Sequence, residues 1–327
     1  MANILDVLDV PWLPDGLART EARLRDAVTA EDPYLTEIAG HLIGAGGKRL
    51  RPVLTMVAAA AGGSPVTDDV ITGGVSVELV HIGSLYHDDV MDDAETRRGV
   101  PSVNAKWGNL VAILSGDFLL SRASELAASL GTEVAGLLAA TIGRLCEGQV
   151  GELKTAYSAD RSEAAHAASI SGKTASLLAT AARIGGIVAG LPRDQIDALT
   201  TFGDNFGMAF QLVDDVLDLV ATDEELGKPA GNDLVEGVYT LPVIRALASD
   251  DIGPQLRPLL GTRLDSAARD TARDLVRASG GIDYTIERAR DYLARGTDAL
   301  GALPANPVRD GMAKLGDAVL DTLPRRS

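Results

Sequence analysis

The chain of 327 residues carries 46 acidic against 30 basic side chains, and a net charge of −16 argues against a nucleic-acid surface. Its single cysteine, Cys146, excludes an internal disulfide and fits a reducing compartment; it reads as a small core residue rather than a nucleophile. Nearly half the residues are apolar, so a sizeable core can be buried, and alanine and leucine far outnumber aromatics, a composition that packs helices closely.

The opening MANILDVLDVPWLPDG has no basic region followed by an apolar run, so it does not read as a signal peptide. The longest apolar stretches, such as 53–61, are too short to span a bilayer, and a soluble, cytoplasmic protein is expected. Apolar residues then recur at helical spacing over 15–30, 32–45, 50–62, 67–92, 108–130, 132–157, 162–190, 193–219, 239–249, 264–279, 282–302 and 306–323. Breaks fall at Gly46-Gly47, Gly62-Gly63-Ser64-Pro65, Pro101, Gly190-Leu191-Pro192 and the loop 222–237, and no convincing strand separates the helices. With no linker, low-complexity segment or close repeat, the expected architecture is one all-α bundle over 1–327, its sites built from side chains on facing helices.

Along that order, GAGGKRLRP comes first. Gly46-Gly47 can end a helix and Pro52 suits the first turn of the next, which leaves Lys48, Arg49 and Arg51 beside glycine backbone as a plausible diphosphate cradle; the spacing is not that of a nucleotide-hydrolase P-loop. His81 follows on an apolar helix, where a lone histidine is more often a satisfied core residue than a ligand. The stretch LYHDDVMDDAETRRG crowds Asp88, Asp89, Asp92 and Asp93 toward a helix C-terminus, with Arg97 and Arg98 just beyond. Asp88 and Asp92 share a helix face, repel each other and oppose the macrodipole, so a cation is expected there; an all-carboxylate site suits Mg²⁺ or Mn²⁺. His87 abuts these carboxylates and is expected to hydrogen-bond to them. Asp117, within WGNLVAILSGDFLLSRA, reads as a buried structural acid needing a partner such as arginine.

In SGKTASLL, Gly172 lies inside a helical pattern and allows a kink or close approach, Lys173 can reach a phosphate, and Thr174 can present oxygen to a developing cation. Gln211 precedes a second acidic motif, Asp214, Asp215 and Asp218, also in an apolar helical run. One such motif alone is weak, but two on one helical chain can face each other across a cavity. The polar, Gly/Pro-punctuated segment after it, with Lys228 and Asp233, reads as a lid loop.

GGKRLRP, HDDVMDDAETRRG, GDFLL, GKT, AFQLVDDVLD and GKPAGND followed by TLP occur in the order found in the trans-prenyltransferases, the polyprenyl diphosphate synthases, and the chain resembles that family over about 44–245. The resemblance implies an all-helical fold around a deep cavity, a homodimer, and catalysis with three Mg²⁺ ions, for which Mn²⁺ can substitute. It makes Asp88, Asp92 and Asp214 the main metal ligands, with Asp89, Asp215 and Asp218 completing the clusters, partly through water. It assigns Arg97, Lys173, Gln211 and Lys228 to the allylic diphosphate, Lys48, Arg51, His81 and Arg98 to isopentenyl diphosphate, and Thr174 to the neighbourhood of the allylic carbon. Many relatives carry a lysine where this chain has Val238, which removes one diphosphate contact. The terminal Arg325-Arg326 reads as a solvated tail.

Product length is argued from the helix ending at Asp88. The growing apolar chain must leave the metal site along it, and one turn, about 5.4 Å, compares with one isoprene unit. Gly83 and Ser84 stand one turn before Asp88, with Val80, Val77 and Gly73-Gly74 deeper, while Tyr86 should face elsewhere. Nothing large on this helix blocks a passage, so a product longer than geranylgeranyl diphosphate is expected. The alternatives are a short-chain farnesyl or geranylgeranyl diphosphate synthase, a terpene cyclase, whose second motif is usually a mixed Asn/Ser/Glu one, and a non-catalytic subunit, which usually lacks the acidic motifs kept here.

Overall fold

The computed structural model describes residues 7–222 and 230–324. Helix follows helix: α1 (Leu13–Ala27), α2 (Pro33–Gly44), α3 (Leu50–Ala61), α4 (Asp68–Met91), α5 (Val103–Trp107), α6 (Asn109–Ser129), α7 (Thr132–Thr155), α8 (Glu163–Ile170), α9 (Ser176–Val188), α10 (Arg193–Val220), α11 (Asn232–Val235), α12 (Leu241–Leu247), α13 (Gly253–Leu256), α14 (Ser266–Ala278), α15 (Gly281–Ala299) and α16 (Pro307–Leu320). The all-helical expectation holds, with one departure: two-residue strands, β1 (Thr96–Arg97) and β2 (Val100–Pro101), pair antiparallel with Thr96 opposite Pro101. Their turn residues, Arg98 and Gly99, have φ of 54° and 76°, the positive pair that a two-residue hairpin of type I′ requires.

The helix starts obey local chemistry. Thr67 caps α4 by accepting from Val70 N at 3.3 Å, and Asp32 caps α2 by accepting from Tyr34 N at 2.9 Å. The segment read as one helix over 162–190 is α8 and α9 joined by a π turn, Ser171–Ala175.

A continuous apolar core runs through α3, α4, α9 and α10, from Leu54 and Met56 to Val77 and Ile82, Ile184, and Phe206. Here α3 lies against both α4 and α9, and small residues set the spacing: a Cβ on Gly185 would fall 2.2 Å from Thr55 O, and one on Gly74 2.9 Å from Pro52 Cα. A second cluster, including Leu219, Leu234, Tyr239, Val243 and Val276, gathers the short helices after α10. Among the described residues, no helix is long and apolar enough to cross a membrane.

Three side-chain expectations are corrected. Asp117 is exposed and lies 3.5 Å from His87 Nε2, so it has no buried charge to neutralise. His87 turns from the acidic motif toward α6, where Nε2 meets Ile113 O at 3.1 Å. Cys146 is exposed on α7, not in the core. Leu110 and Leu114 of α6 and Val150 and Leu153 of α7 are exposed too, so these helices keep apolar residues on their outer faces.

Candidate active site

The C-terminal end of α4 and the C-terminal half of α10 wall a cavity of about 500 Å³, with Asp88, Asp92 and Arg97 on one side and Gln211, Asp214 and Asp215 on the other. Lys173, Thr174, Glu152 and His166 also line it. Burial raises the Asp88 carboxyl above its usual range, against the pull of Lys173 and Arg97. Asp92, open to solvent at the end of α4, is pushed up to about 6 by desolvation first, then by Glu236 and Asp88.

The two remaining acids expected as metal ligands lie elsewhere. Asp89 is fully buried, and Arg97 donates to its Oδ1 from Nε at 2.7 Å and Nη2 at 2.6 Å. Consecutive helix positions face different directions, so Asp89 cannot share the Asp88–Asp92 face. Its Oδ2 is buried without a hydrogen bond, and burial holds its carboxyl above the usual range. Asp218 is 5% exposed and is not in the cavity wall; its Oδ2 accepts from Asp233 N at 3.2 Å and its carbonyl from Gly231 N at 2.7 Å. It fixes the backbone that leads from the segment 223–229 back into the fold. Asp215 does reach the wall, but its oxygens are engaged: Gln211 Nε2 donates to Oδ1 at 3.0 Å, and His166 Nε2 lies 2.9 Å from Oδ2.

Among the described residues, no three His, Cys, Asp or Glu side chains converge into a closed ligand cage. Carboxylates spread over two facing helices fit a hard divalent cation that keeps waters and shares its sphere with substrate phosphates. The desolvation that, with Glu236 and Asp88, pushes Asp92 up, and the orphaned Oδ2 of Asp89, mark the region as short of positive charge.

Lys173 sits in the π turn. Its neighbour Gly172 is where α7 comes closest: a Cβ there would fall 2.8 Å from Gly148 Cα and from Arg144 O, which bears out the expected close approach. The Lys173 ammonium pairs with Glu152 Oε1. Thr174 Oγ1 donates to Gln211 Oε1 at 2.9 Å, so Thr174, Gln211, Asp215 and His166 form one hydrogen-bonded chain. Glu152 and His166 escaped sequence reading. Each stands in a helix at ordinary polar spacing, and only the tertiary fold brings it to the cavity.

A second cavity of about 470 Å³ gathers Lys48, Arg51, His81 and Arg98, the residues associated with one ligand by the resemblance. Arg49 anchors the loop that forms it: at φ 49°, it donates to Glu21 Oε1 at 2.6 Å and Glu78 Oε1 at 3.2 Å. Arg98 donates to Leu42 O at 3.2 Å and to Gly46 O. A Cβ on Gly47, at φ 147°, would fall 2.9 Å from Arg98 Nη1, so the close pass of this backbone over the guanidinium needs glycine. Burial lowers Arg51 to about 10, still charged at neutral pH, and its Nε is buried without a hydrogen bond. Burial, then Arg51 and Arg98, hold His81 well below its usual range, so it is a neutral imidazole. Such a concavity attracts an anion with many acceptor oxygens. The hairpin places Arg97 in the first cavity and Arg98 in the second.

Of the chain-length positions, Gly83 lies against α6, where a Cβ would meet Gly116 O at 3.1 Å. Gly73 and Gly74 pack on Ile184 and Pro52, and are packing positions rather than parts of an open passage. Val77 and Val80 are fully buried. Ser84 is half-buried and donates to His81 O at 2.9 Å. Tyr86 faces away as expected, donating to Ile38 O at 2.7 Å on α2. Val238 lines the first cavity; Lys228, Arg325 and Arg326 lie outside the described residues.

Comparison with known proteins agrees with this geometry. The polyprenyl synthetase family profile matches residues 32–277. The nonaprenyl diphosphate synthase of Mycobacterium tuberculosis is 39% identical over 307 residues, spanning 92% of this chain and 91% of that protein. The polyprenyl synthase of Caulobacter crescentus, solved with calcium and isoprenyl diphosphate, superposes with a TM-score of 0.91 at 34% identity, covering 99% of this chain and 98% of that one. The geranylgeranyl pyrophosphate synthase of Corynebacterium glutamicum, also solved with calcium and isoprenyl diphosphate, gives 0.84 at 36% identity, covering 96% and 98%. With its acidic cavity, its basic cavity and a matching sequence over most of its length, the chain belongs to the polyprenyl synthetase family and is a trans-prenyltransferase.

Proposed function

We propose that the chain condenses isopentenyl diphosphate head-to-tail with an allylic diphosphate, releases inorganic diphosphate, and builds a long-chain all-trans polyprenyl diphosphate. One observation carries this reading: an acid-walled cavity and a basic cavity are joined at consecutive residues, Arg97 and Arg98, so that two diphosphates can be held side by side with opposite requirements. The allylic diphosphate belongs in the first cavity with Arg97 and Lys173, and with Lys228 by resemblance. Isopentenyl diphosphate belongs in the second, with Lys48, Arg51, His81 and Arg98.

Asp88, Asp92 and Asp214, with Asp215 fixed behind them, would hold the divalent ions, in our reading three Mg²⁺, which supply Lewis acidity toward the leaving diphosphate. The remaining work falls to the protein. Arg97 and Lys173 take up charge as the allylic C–O bond breaks and its electron pair goes to the diphosphate oxygen. Thr174, its hydroxyl hydrogen donated to Gln211 Oε1, presents its oxygen dipole toward the allylic carbon, where positive charge grows, while Gln211 stands with Arg97 and Lys173 at the allylic diphosphate. The second cavity holds the isopentenyl double bond within reach; its π electrons form the new C–C bond, and the proton lost in restoring a double bond passes to the released diphosphate. Apolar walls, such as Leu85 beside Asp88, keep water from the cation.

Long product length rests on the small Ser84 and on similarity to the nonaprenyl synthase. A geranylgeranyl product is the second reading, favoured by the similarity to the Corynebacterium enzyme. The outward apolar residues of α6 and α7, including Leu110, Leu114 and Leu153, support a homodimer. The lone cysteine supports a cytoplasmic setting. Incubating the purified chain with labelled isopentenyl diphosphate, Mg²⁺ and geranyl, farnesyl or geranylgeranyl diphosphate, then sizing the products, tests reaction and length together. No product from any primer overturns the reading.

A further inference from the structure

Glu152 places a carboxylate in the wall of a cavity whose ligand is itself a multiply charged anion. In the structure its Oε1 pairs with the Lys173 ammonium. Its other oxygen, Oε2, lies 4.0 Å from Nη2 of Arg161, at the edge of ion-pair range. Arg161 is 5% exposed and stands between α7 and α8. It uses one donor, Nη1, on Tyr239 O at 3.3 Å, while Nε and Nη2 are buried without a hydrogen bond. A buried guanidinium with idle donors is unfavourable unless something occupies them in another state. A carboxylate within ion-pair range is Glu152, and what now occupies Glu152 is the lysine that the substrate needs.

The geometry points to an ion-pair exchange: Glu152 holds Lys173 until the allylic diphosphate binds and passes to Arg161 when Lys173 turns to that diphosphate. Glu152 is then a positioning residue, and Arg161 its receiver. Without the receiver, binding would free Lys173 but leave Glu152 as an uncompensated anion beside the diphosphate. With it, Glu152 has a cationic partner in both states. The exchange rests on the assignment of Lys173 to the allylic diphosphate.

The sign of one affinity change decides the matter. Binding of farnesyl thiolodiphosphate, an allylic analogue that does not ionise readily, is measured by calorimetry with Mg²⁺ for the wild type, Glu152→Gln, Arg161→Gln and the double variant, with steady-state turnover followed in parallel. Glu152→Gln removes the competitor for Lys173 and is expected to tighten binding about fivefold or more, with a lower KM for the allylic substrate and a lower kcat as diphosphate leaves more slowly. Arg161→Gln strands Glu152 and is expected to weaken binding by a similar factor, and the double variant to recover most of that loss. If Glu152 merely props Lys173 in a productive pose, Glu152→Gln weakens binding instead, and that result overturns the exchange. An Arg161→Gln defect that persists undiminished in the double variant also overturns it; should Arg161→Gln fail to fold, the sign for Glu152→Gln alone decides. Tighter binding without wild-type turnover would keep the exchange and remove the proposed condensation, whereas turnover with weaker binding would do the reverse.

Discussion

His166 Nε2 lies 2.9 Å from Asp215 Oδ2, and both side chains are 2% exposed. With Gln211 on the other oxygen, the Asp215 carboxylate is held by two partners from two elements, as an acid beside a metal must be if its orientation is to be fixed. His166→Ala should therefore leave the helices in place and lower kcat/KM by about 10–100-fold, while raising the Mg²⁺ concentration needed for half-maximal rate. Steady-state kinetics over a Mg²⁺ titration check this. An unchanged metal requirement would show that the histidine serves only packing.

Asp88 and Asp214 face each other across the first cavity from α4 and α10. Asp88→Ala and Asp214→Ala are each expected to reduce turnover by about 10²–10³-fold or more, with circular dichroism nearly unchanged, because in the proposed mechanism each removes a cation ligand while relieving crowding of like charges. EDTA should abolish wild-type turnover, and Mg²⁺ should restore it. Near-normal kinetics in both variants would move the reaction centre elsewhere.

Asp92 makes stability depend on pH in the direction opposite to an ordinary ion-paired acid. Its carboxyl rises from an ordinary 3.8 to about 6 in the fold, so between these values the folded chain binds more protons than the unfolded one. Metal-free stability must then fall as pH rises through that window, with the full penalty present above about 6. At this exposed position screening holds the effect to about 1 kcal/mol or less. In EDTA, Asp92→Asn should melt about 1–2 °C above wild type at pH 7 and level with it near pH 4. A gap that stays constant from pH 4 to 7 would place its cause outside Asp92 titration.

Lys48 lies in the second cavity, exposed at its rim, with Arg51 and His81 behind it. Lys48→Ala should raise the KM for isopentenyl diphosphate by about 10-fold and leave the allylic KM within about twofold, since a charge-assisted contact contributes roughly 1.5–3 kcal/mol, less where water competes. Equal changes in both values would contradict the division of the two diphosphates.

How much of this was legible before the structure follows from the range of each interaction. Helix positions came from apolar periodicity and from punctuation by glycine and proline, which are local. Asp88, Asp92, Lys48 and Arg51 came from short motifs whose like charges make no sense without a ligand. What could not be read was direction. Asp89 is one residue from Asp88 but points to Arg97, and Gly83, which looks like an opening in the sequence, is filled by the backbone of α6. Asp117 looked buried because its neighbours are apolar, yet α6 exposes several of those neighbours. Glu152, Arg161 and His166 belong to no short motif; their meaning lies in contacts that α7, α8 and α10 make only once packed.

Ser84 is the position at which product length is tested. It stands one helical turn before Asp88 on the same side of α4, half-buried, its hydroxyl donating to His81 O at 2.9 Å. Gly83 is unsuitable as a test position: a phenyl group there must displace the Gly116 carbonyl, 3.1 Å from where even a Cβ would lie, and would wedge α4 from α6. At Ser84, one turn before Asp88, an added ring is expected to meet the chain growing away from the acidic motif. Each further isoprene unit needs roughly one more turn of α4, about 5.4 Å, so a ring at the first turn should stop growth early. With farnesyl diphosphate as primer, the wild type is expected to yield products longer than geranylgeranyl diphosphate, and Ser84→Phe to shift them sharply toward geranylgeranyl diphosphate at similar total incorporation. Sizing labelled products after phosphatase treatment checks both. A wild type that already stops at geranylgeranyl diphosphate would place the barrier on another element and remove Ser84 from chain-length control.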